Sequence, residues 1–425
     1  MNFDRMRALL LDRAIHGQLV SQDADDGVVK QIGMTPDADP FTLPKSWRWI
    51  KLKELVIPAK QTIPAENFTY IDVSSIKNFQ LEGTKRLEPS NAPSRARKVV
   101  QEGMVLFATV RPYLKNICIA KNLSCNVIAS TAFATMSCSD HLDNRYLFYV
   151  LRSDYFTELV KGKQRGISYP AISERDFYAC HVPVPPVKEQ ARIVAKLEEA
   201  FAEIDRAKKA YEELQTLAGV LRGQILQEAI EGKLVPQLAE EGVVEQIGGA
   251  PEEVPFEIPE SWKWVQMNGI CTLKSGVDMS PSVLLNEPVI NAIPYITGGS
   301  QIGQSGELLI TRWTSKATNI SEEGDVLLIC KGSGLGRTAL NSYGSVHIAR
   351  QIMAIRKTKE VIPQYLDLLL KWHWETLRSA AKGVIPGIAR KDVLSLLVPL
   401  PPVTEQVRIV AKVEELMKQV DGLSA

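Results

Sequence analysis

The sequence predicts an α+β protein in which a long antiparallel helical coiled coil separates two similar globular bodies. We expect a pseudo-two-fold axis to relate the bodies and the chain to be arranged circularly. One observation is that "PPVKEQARIVAKLEEAFAEID" at 185–205 recurs as "PPVTEQVRIVAKVEELMKQVD" at 401–421. Shorter anchors recur 215 positions apart, and a heptad pattern follows the first copy. A chain of 425 residues is also long for a single core, which favours two domains.

The duplication extends over most of the chain, although the stretches between the anchors diverge. A period near 215 residues is far too long for a solenoid, so the repeat indicates two domains. Each half is therefore predicted to hold a fixed frame around a variable body. The anchors are "LDRAIHGQLV" at 11–20 with "LQEAIEGKLV" at 226–235, "GVVKQIG" at 27–33 with "GVVEQIG" at 242–248, and "FTLPKSWRW" at 41–49 with "FEIPESWKW" at 256–264.

The frame is predicted to be helical. After Pro185 and Pro186, apolar residues alternate steps of four and three, which is an a/d stripe over more than four heptads. A helix over about 187–231 would span roughly 65 Å at 1.5 Å per residue. A plain coiled-coil dimer explains the stripe equally well when it is considered alone. Its members are Ile193, Leu197, Ala200, Ile204, Ala207, Tyr211, Leu214, Ala218, Leu221 and Ile225.

The second copy of this helix is divided between the two ends of the chain. Its first half lies at the C-terminus, and Phe3, Met6 and Leu10 copy Ala218, Leu221 and Ile225 at the N-terminus. These matching fragments favour helix pairing within one chain over a dimer. We expect the coiled-coil or subunit interface to contain Ile193, Leu197, Ile204, Tyr211, Leu214, Leu221, Ile409, Val413, Leu416 and Val420.

The repeat also predicts the domain boundaries. Residues 1–20 form the N-terminal segment of the split helix, 21–185 the first body and 186–235 the central helix. Residues 236–401 form the second body, and 402–425 the C-terminal segment of the split helix.

The bodies are predicted to mix strands and helices. Short apolar runs such as "MVLFATV", "DVLLIC" and "VIASTAFATM" indicate strands, whereas "DNRYLFYVLRSDYFTELV" indicates a helix. The repeated Ser-Trp-x-Trp elements, at 46–49 and 261–264, are interpreted as core anchors in preference to base-stacking platforms.

Basic residues concentrate in the bodies, although the whole chain is balanced at 50 basic and 49 acidic residues. Between residues 77 and 121 nine basic residues face only three acidic ones, while the coil carries an acidic excess. That division suits bodies that contact phosphate, although solvated loops explain it equally well. The basic loops "ATVRPYLKN", "KGKQRGISYP" and "KGSGLGRT" add flexible glycines or an aromatic residue. The candidate DNA contacts are Arg95, Arg97, Lys98, Arg111, Lys115, Lys163, Arg165, Lys331, Arg337, Arg350, Arg390 and Lys391.

Motifs for catalysis and cofactors are missing. "KGSGLGRT" fails as a Walker A loop, because Gly332 and Gly336 enclose three residues where four are needed. No Asn-Pro-Pro-aromatic, GxSxG or HExxH stretch occurs, and no CxxC pair among the six cysteines. Cys138 and His141 have a ligand-like spacing without a second pair, so no metal is expected. No long apolar run or signal peptide is present, so we expect a cytoplasmic protein that does not bind membranes.

The whole pattern resembles the specificity subunit of type I restriction–modification enzymes. Two divergent bodies each end in "VPxPPxxEQxRIVAKxEE" and a long helix, and "LFATVRPYLKN" and "GISYPAIS" are also similar to family stretches. The residues that carry the resemblance are Pro185, Pro186, Glu189, Gln190, Ile193 and Val194, with Pro401, Pro402, Glu405, Gln406, Ile409 and Val410.

The resemblance implies that each body is a target recognition domain, which reads one half of an asymmetric bipartite sequence in double-stranded DNA. The helices would set the gap between the half-sites and dock two methyltransferase subunits, with restriction subunits in the full complex. Catalysis and S-adenosylmethionine would belong to the methyltransferase, so this chain would be a non-catalytic subunit without a cofactor. Two alternatives stay open: a coiled-coil scaffold without DNA specificity, and a nucleotide-dependent enzyme that uses the glycine loop.

Overall fold

The computed structural model describes residues 2–166, 169–303, 306–381 and 386–424. The chain divides into two compact units, Met1–Ala210 and Tyr211–Ala425. One helix, α5 (Val187–Ile230, 44 residues), begins in the first unit and ends in the second.

The first unit combines strands with helices that lie mostly near its two ends in sequence. Its helices are α1 (Phe3–Ile15), α2 (Asn144–Arg152), α3 (Asp154–Lys161), α4 (Glu174–Tyr178) and the first half of α5. Its strands are β1 (Arg48–Lys51), β2 (Val56–Pro58), β3 (Phe68–Ile71), β4 (Ile76–Lys77), β5 (Gln80–Leu81), β6 (Lys85–Leu87), β7 (Ala96–Val100), β8 (Val105–Ala108), β9 (Ile117–Ile119), β10 (Val127–Ser130), β11 (Phe133–Cys138) and β12 (His181–Val184).

Two main sheets form the body of the first unit. Their strand orders are β6-β3-β10-β7 and β2-β11-β8-β9, and a buried apolar cluster that includes Ile71, Leu106 and Phe133 joins them. Strands β8 and β11 consist largely of fully buried residues, which matches their continuous apolar sequence. The pair β1-β12 lies outside these sheets and connects the body to the frame, since β12 leads directly into α5.

The second unit repeats this plan with a different body. Its helices are the second half of α5, α6 (Met267–Ile270), α7 (Pro363–Trp372), α8 (Trp374–Ala380), α9 (Arg390–Leu394) and α10 (Val403–Ser424). Its strands are β13 (Lys263–Gln266), β14 (Cys271–Ser275), β15 (Leu284–Leu285), β16 (Ile293–Ile296), β17 (Trp313–Thr314), β18 (Ile320–Ser321), β19 (Val326–Ile329), β20 (Thr338–Leu340), β21 (Val346–Ile348), β22 (Ile352–Lys357) and β23 (Leu397–Leu400).

The sheets of the second unit correspond to those of the first. The order β14-β22-β19-β20 matches β2-β11-β8-β9, and β13-β23 matches β1-β12. The remaining sheet, β15-β17-β16-β21-β18, keeps the parallel pair seen between β3 and β10, here as β16 and β21. This architecture confirms the predicted α+β class and the two similar bodies with a long helix.

Each unit contains an antiparallel pair of frame helices. In the first unit Arg7 of α1 forms an ion pair with Asp205 of α5, while Gln22 beyond α1 reaches back to Glu189 near the start of α5. In the second unit Arg222 of α5 pairs with Asp421 of α10 at 2.6 Å. Both halves of α5 thus have partners within the same chain, which favours intrachain pairing over the plain dimer.

The helix and strand predictions are confirmed, with three differences in the bounds or number of the elements. The central helix ends at Ile230, one residue before the end expected from the apolar stripe and five residues before the predicted domain boundary at 235. The single helix predicted over 143–160 is instead α2 and α3, because Ser153 interrupts it: its hydroxyl donates to the carbonyl of Val150 and accepts from the amide of Phe156. "VIASTAFATM" forms two strands, β10 and β11. In the described part of the chain, no helix is both long and apolar enough to cross a membrane.

Candidate nucleic-acid interface and its frame

A buried carboxylate fixes the frame of the first unit. Glu189 in the first turn of α5 is 1% exposed and accepts hydrogen bonds from the indole Nε1 of Trp47 at 3.0 Å and from Gln22. Ser46 in turn donates to Gln22 at 3.0 Å. The repeated Ser-Trp pair is therefore a structural anchor, as the sequence indicates, because it ties the start of the body to the start of the helix.

The neighbouring Gln190 joins the same helix to the body from another side. Its amide oxygen accepts the backbone N–H of Asp143 at 2.7 Å, one residue before α2. Its amide nitrogen donates to the carbonyls of His141 and Pro185, both at 2.9 Å. A buried amide satisfied in this way fixes the angle at which α5 leaves the body.

The second unit repeats both arrangements with the corresponding atoms. Glu405 accepts from the indole of Trp262 at 2.9 Å and from Gln237 at 2.6 Å. Gln406 accepts from the N–H of Ile362 at 2.9 Å and donates to the carbonyls of Glu360 and Pro401. The Pro-Pro-x-x-Glu-Gln motif occurs twice because the glutamate and the glutamine make the same hydrogen bonds in both units.

Burial and hydrogen bonding have opposite effects on the pKa of the glutamate at each joint. Burial raises the pKa of Glu189 and of Glu405, while the indole and glutamine donors counteract part of that effect. One turn further along each helix an arginine binds a second carboxylate, which lies outside that helix: Arg192 lowers the pKa of Asp26, and Arg408 lowers the pKa of Glu241. The sequence identified the glutamates and glutamines as a motif but not their role, because the partners of Glu189 lie 142 and 167 residues away and the body partners of Gln190 lie 47 and 49 residues away.

The first candidate contact loop follows strand β8. The backbone of Val110 bridges Ala171, and the N–H of Ile172 donates to the carbonyl of Thr109 at 2.9 Å. This brings "ATVRPYLKN" against the segment that leads into α4, where Arg165 bridges Ala171 as well. The structure therefore unites two loops that are distant in sequence. Ile167 and Ser168 of the similar stretch "GISYPAIS" lie outside the described residues.

Arg111 is held at the centre of this loop. Its backbone is in the left-handed region with φ 48°, and its N–H donates to the carbonyl of Pro170 at 2.8 Å. The guanidinium carbon lies 4.6 Å from the centroid of the Tyr169 ring, a cation–π distance. Tyr169 is 69% exposed and was not among the predicted contacts, although its position between a glycine loop and a proline is visible in the sequence.

The other predicted contacts of the first unit divide by accessibility. Arg95, Lys163 and Arg165 are exposed, and Arg97 is half-buried with a bond to the carbonyl of Ala96. Lys115 already has hydrogen-bond partners within the protein, because its ammonium donates to the carbonyl of Arg152 and to the carboxylate of Asp154.

Lys98 does not fit the DNA contact predicted for it. Its side chain is only 2% exposed, and its ammonium is paired with Glu174 at the start of α4. A buried and paired ammonium is not available to a phosphate. The alternating burial of β7 explains the error, because Lys98 falls on the inward face of that strand.

The second candidate loop follows β19 at the corresponding place. Lys331 bridges Gly387, and the N–H of Ile388 donates to the carbonyl of Cys330 at 2.9 Å, as Val110, Ala171 and Ile172 do in the first unit. Gly332 therefore occupies the position that Arg111 has in the first unit. The two units share a backbone plan for this loop and present different side chains.

Packing within the protein requires glycine at position 336 in "KGSGLGRT" and at position 299, which lies against this loop. A Cβ at Gly336 would lie 1.8 Å from the Trp374 ring, and a Cβ on Gly299 would lie 2.0 Å from the carbonyl oxygen of Ser333. Because the Trp374 ring already approaches Gly336 this closely, the backbone of that glycine is not open to a phosphate. That observation weakens the nucleotide-enzyme alternative.

The predicted contacts of the second unit are partly engaged. Arg337 donates to the carbonyls of Gly299 and Ile302, and Arg390 to the carbonyl of Leu273 at 2.8 Å. Arg350 pairs with Asp278 at 2.8 Å. Lys331 and Lys391 are exposed.

The cysteines and the other possible metal ligands lie apart from one another in the described part of the chain. Within it, no three His, Cys, Asp or Glu residues come together as a possible metal site. Burial raises the pKa of the Cys118, Cys138, Cys180 and Cys271 thiols to about 12, so these cysteines stay protonated and unreactive.

The predicted interface residues lie along the frame helices. Ile193, Leu197 and Ile204 are buried in the first unit. In the second unit Ile409, Val413 and Val420 are buried, whereas Tyr211, Leu214, Leu221 and Leu416 are half-buried.

The same frame residues therefore occur twice in this chain, and each copy of the frame holds a different body and a different candidate contact loop. A family model described as "Type I restriction modification DNA specificity domain" matches residues 44–216 and 259–423. The chain therefore belongs to the family of type I restriction–modification specificity subunits, as the sequence resemblance indicates.

Known relatives agree with this assignment. The chain is 22% identical to the type I restriction enzyme EcoKI specificity subunit of Escherichia coli K12, over 65% of this chain and 59% of that protein. It is similar to the crystal structure of the HsdS subunit from Thermoanaerobacter tengcongensis, with a TM-score of 0.63 and 30% identity over 90% of this chain and 92% of that one. A chain from a structural study of complex assembly and conformational transition in the type I R-M system gives a TM-score of 0.75 and 29% identity over 91% of this chain and 93% of that one.

Proposed function

We propose that this chain reads an asymmetric bipartite sequence in double-stranded DNA for a type I restriction–modification complex. Each body would recognise one half-site through the loop after β8 or β19. The observation that carries the proposal is the twice-built frame with different loops: Arg111 stands in one copy where Gly332 stands in the other. Readers that differ in side chains at matching backbone positions would select different base sequences.

The frame would serve as a spacer and as a docking surface. Helix α5 has 44 residues, which corresponds to about 66 Å at 1.5 Å per residue. The Glu189 and Glu405 joints fix each body to its helix, so the helix length would set the gap between half-sites, in the way that protein symmetry sets half-site spacing in other DNA-binding proteins. Two methyltransferase subunits would dock on the helices, and restriction subunits would join in the full complex.

Catalysis would belong to these partners. The methyltransferase would bind S-adenosylmethionine and act on an adenine turned out of the duplex, because a base inside the stack is not accessible to the enzyme. The present chain would contribute affinity, target choice and orientation, without a cofactor of its own. We expect the chain to act in the cytoplasm.

The test is a base-resolution methylome of cells that express this chain with its methyltransferase, compared with cells that lack only this chain. We expect a methyl-adenine motif that consists of two different short halves with a fixed gap. Shortening α5 by one heptad between 207 and 213 should shorten that gap without changing either half.

Two results would contradict the proposal. If both proteins are present and co-purify but no new motif arises, the chain is a scaffold or an inactive reader. If the motif is undivided or symmetric, the assignment of one half-site to each body is wrong. Expression of the methyltransferase alone is the matched control.

A further inference from the structure

We infer that Arg111 reads a guanine in the half-site of the first body, and that Tyr169 positions its guanidinium for this purpose. The inference rests on the proposed DNA-reading function and adds which base class one half-site must contain. It would make Arg111 a specificity-determining residue and Tyr169 a positioning residue.

The backbone around Arg111 is held in an uncommon conformation. Arg111 and Lys115 both have left-handed φ values, 48° and 52°, on either side of the single turn Pro112–Leu114. Residues other than glycine adopt this region at a cost, and such positions concentrate at binding sites. The bond from the Arg111 N–H to the Pro170 carbonyl and the buried Pro112 maintain the turn, so the direction of the Arg111 side chain is fixed before any ligand binds.

The side chain of Arg111 is oriented but its donors are unused. The guanidinium stacks on the exposed Tyr169 ring at 4.6 Å, and within the described residues it makes no hydrogen bond or ion pair, with Nε buried and unpaired. A planar guanidinium held by an aromatic face keeps its two terminal nitrogens, Nη1 and Nη2, available for a planar acceptor even though Nε is buried. Unused donors on a positioned side chain indicate a ligand that supplies the acceptors.

Nearby cations do not combine these properties. The ammonium of Lys115 donates to the backbone carbonyl of Arg152 and to the carboxylate of Asp154. Lys98 is buried and paired with Glu174, and Arg97 donates to the carbonyl of Ala96. Arg95, Lys163 and Arg165 are exposed and have no aromatic support among the described contacts, which suits mobile phosphate contacts. Arg111 therefore is the cation of this loop that is best suited to reading a base.

Guanine is the base that matches this fork. In the major groove guanine offers the two acceptors O6 and N7, whereas adenine offers one acceptor and one donor. A bidentate arginine contact discriminates against the wrong base by about 5- to 150-fold in affinity. The second body has glycine at the corresponding position 332, so this particular contact would be limited to one half-site.

The test measures binding of the assembled complex, with its methyltransferase, to duplexes in which each G·C pair of the first half-site is replaced in turn. For the natural chain we expect one replacement to reduce affinity by about 5- to 150-fold. With Arg111→Ala and with Arg111→Lys the preference at that pair should vanish, since lysine keeps the charge but lacks the fork. Preferences at the other pairs and in the second half-site should persist.

Tyr169 and Lys331 provide the controls. Tyr169→Phe keeps the ring face and should keep the guanine preference, while Tyr169→Ala should reduce it at the same pair. Lys331→Ala should leave the first half-site unchanged. The persistence of the second half-site motif in each variant shows that the complex is folded.

Two outcomes overturn the inference. In the first, the substitutions do not remove a preference for guanine. Either Arg111→Ala and Arg111→Lys leave every base preference in place, or Arg111→Ala weakens binding to all duplexes equally and reduces the salt slope by about 1, as the loss of a phosphate contact would. In the second, the first half-site contains no G·C pair. If the natural complex shows no bipartite motif at all, the proposed function itself fails, and this outcome is distinct from the others.

Discussion

Helices α2 and α7 occupy the same place in the two units but end in different ways. At the end of α2 the guanidinium of Arg152 lies 3.7 Å from the Phe79 ring centroid and 4.9 Å from that of Phe148. At the end of α7 the matching residue, Lys371, instead pairs with Asp367 at 2.7 Å. Asp367 aligns with Phe148 when "RYLFYVLR" is placed on "QYLDLLLK".

The frame joints of the two units, by contrast, use the same residues and almost the same distances. This difference shows which positions can change their amino acid between the two units without loss of the fold. A buried amide or carboxylate needs donors and acceptors at fixed positions, so the joint tolerates one solution. A cation at the edge of a body is stabilised by aromatic faces or by an acid, so that position can diverge. Burial lowers the pKa of Arg152 to about 10, which leaves it charged at neutral pH.

The largest expected effect comes from the joints that the units share. Gln190→Ala and Gln406→Ala each leave a partly buried backbone N–H, one partly buried carbonyl and one buried carbonyl without their glutamine partner. We expect each variant to lose about 3 kcal/mol of unfolding free energy, because unsatisfied buried groups cost about 1–3 kcal/mol each and some recover water. Denaturant unfolding with hydrogen exchange on peptides from each unit measures the effect.

The two substitutions serve as controls for each other. Gln190→Ala should loosen the first unit and Gln406→Ala the second, by similar amounts. If only one of the two substitutions destabilises its own unit, or if neither does, the matching geometry of the joints does not give matching contributions to stability.

The next effect separates the two units. Arg152→Ala removes a guanidinium packed against aromatic rings, so we expect a loss of about 2 kcal/mol that changes little with salt. Lys371→Ala removes an ion pair that is half exposed on the lysine side, so we expect at most about 1 kcal/mol and a clear dependence on salt. Thermal unfolding at low and high ionic strength compares them, and equal salt sensitivity would refute the distinction.

Two glycines in α5 allow a stabilising test. Gly219 and Gly223 align with Asp4 and Ala8 of α1, and a Cβ added at either glycine meets nothing within 4 Å. Gly219→Ala and Gly223→Ala should therefore each stabilise the helix by about 0.5–1 kcal/mol. Helix melting by circular dichroism gives the value. Ala8→Gly is the reverse control in α1, and it should destabilise by a similar amount.

The smallest effect concerns pH. Burial lowers the pKa of His373, although the hydrogen bond that its Nε2 donates to the carbonyl of Leu397 at 2.9 Å acts in the opposite direction. Because the unfolded chain takes up a proton first, stability of the second unit should fall as the pH decreases below about 6.5. Denaturant unfolding between pH 7.5 and 5.5 should show this slope, and His373→Gln should reduce it.

His181 provides the comparison in the first unit. Burial lowers its pKa in the same direction, although it is more exposed. His181→Gln should change the slope less than His373→Gln does. A larger change from His181 would mean that burial does not control the pH response.

Sequence reasoning predicted the elements with a strong periodic pattern or a repeat. The bounds of α5 and the strands β8 and β19 follow from apolar spacing, and the burial of Trp47 and Trp262 follows from their repeated context. It missed the break at Ser153, because the apolar period continues across a residue whose hydroxyl caps one helix and ends another. It also misread Lys98, because a charge on the inward face of a strand looks like any other charge until its partner is known.

The sequence by itself therefore determined the duplication, the helical frame, the family and the basic character of the loops, since periodicity and repeats are properties of chain order. Tertiary structure alone decided which cations are available. Arg111, Lys115 and Lys98 look alike in the sequence, yet one stacks on Tyr169, one binds Asp154 and one is buried against Glu174. The physical reason is that a charge acquires its role from its neighbours, and in this chain those neighbours lie 39 to 76 residues away in the two ion pairs.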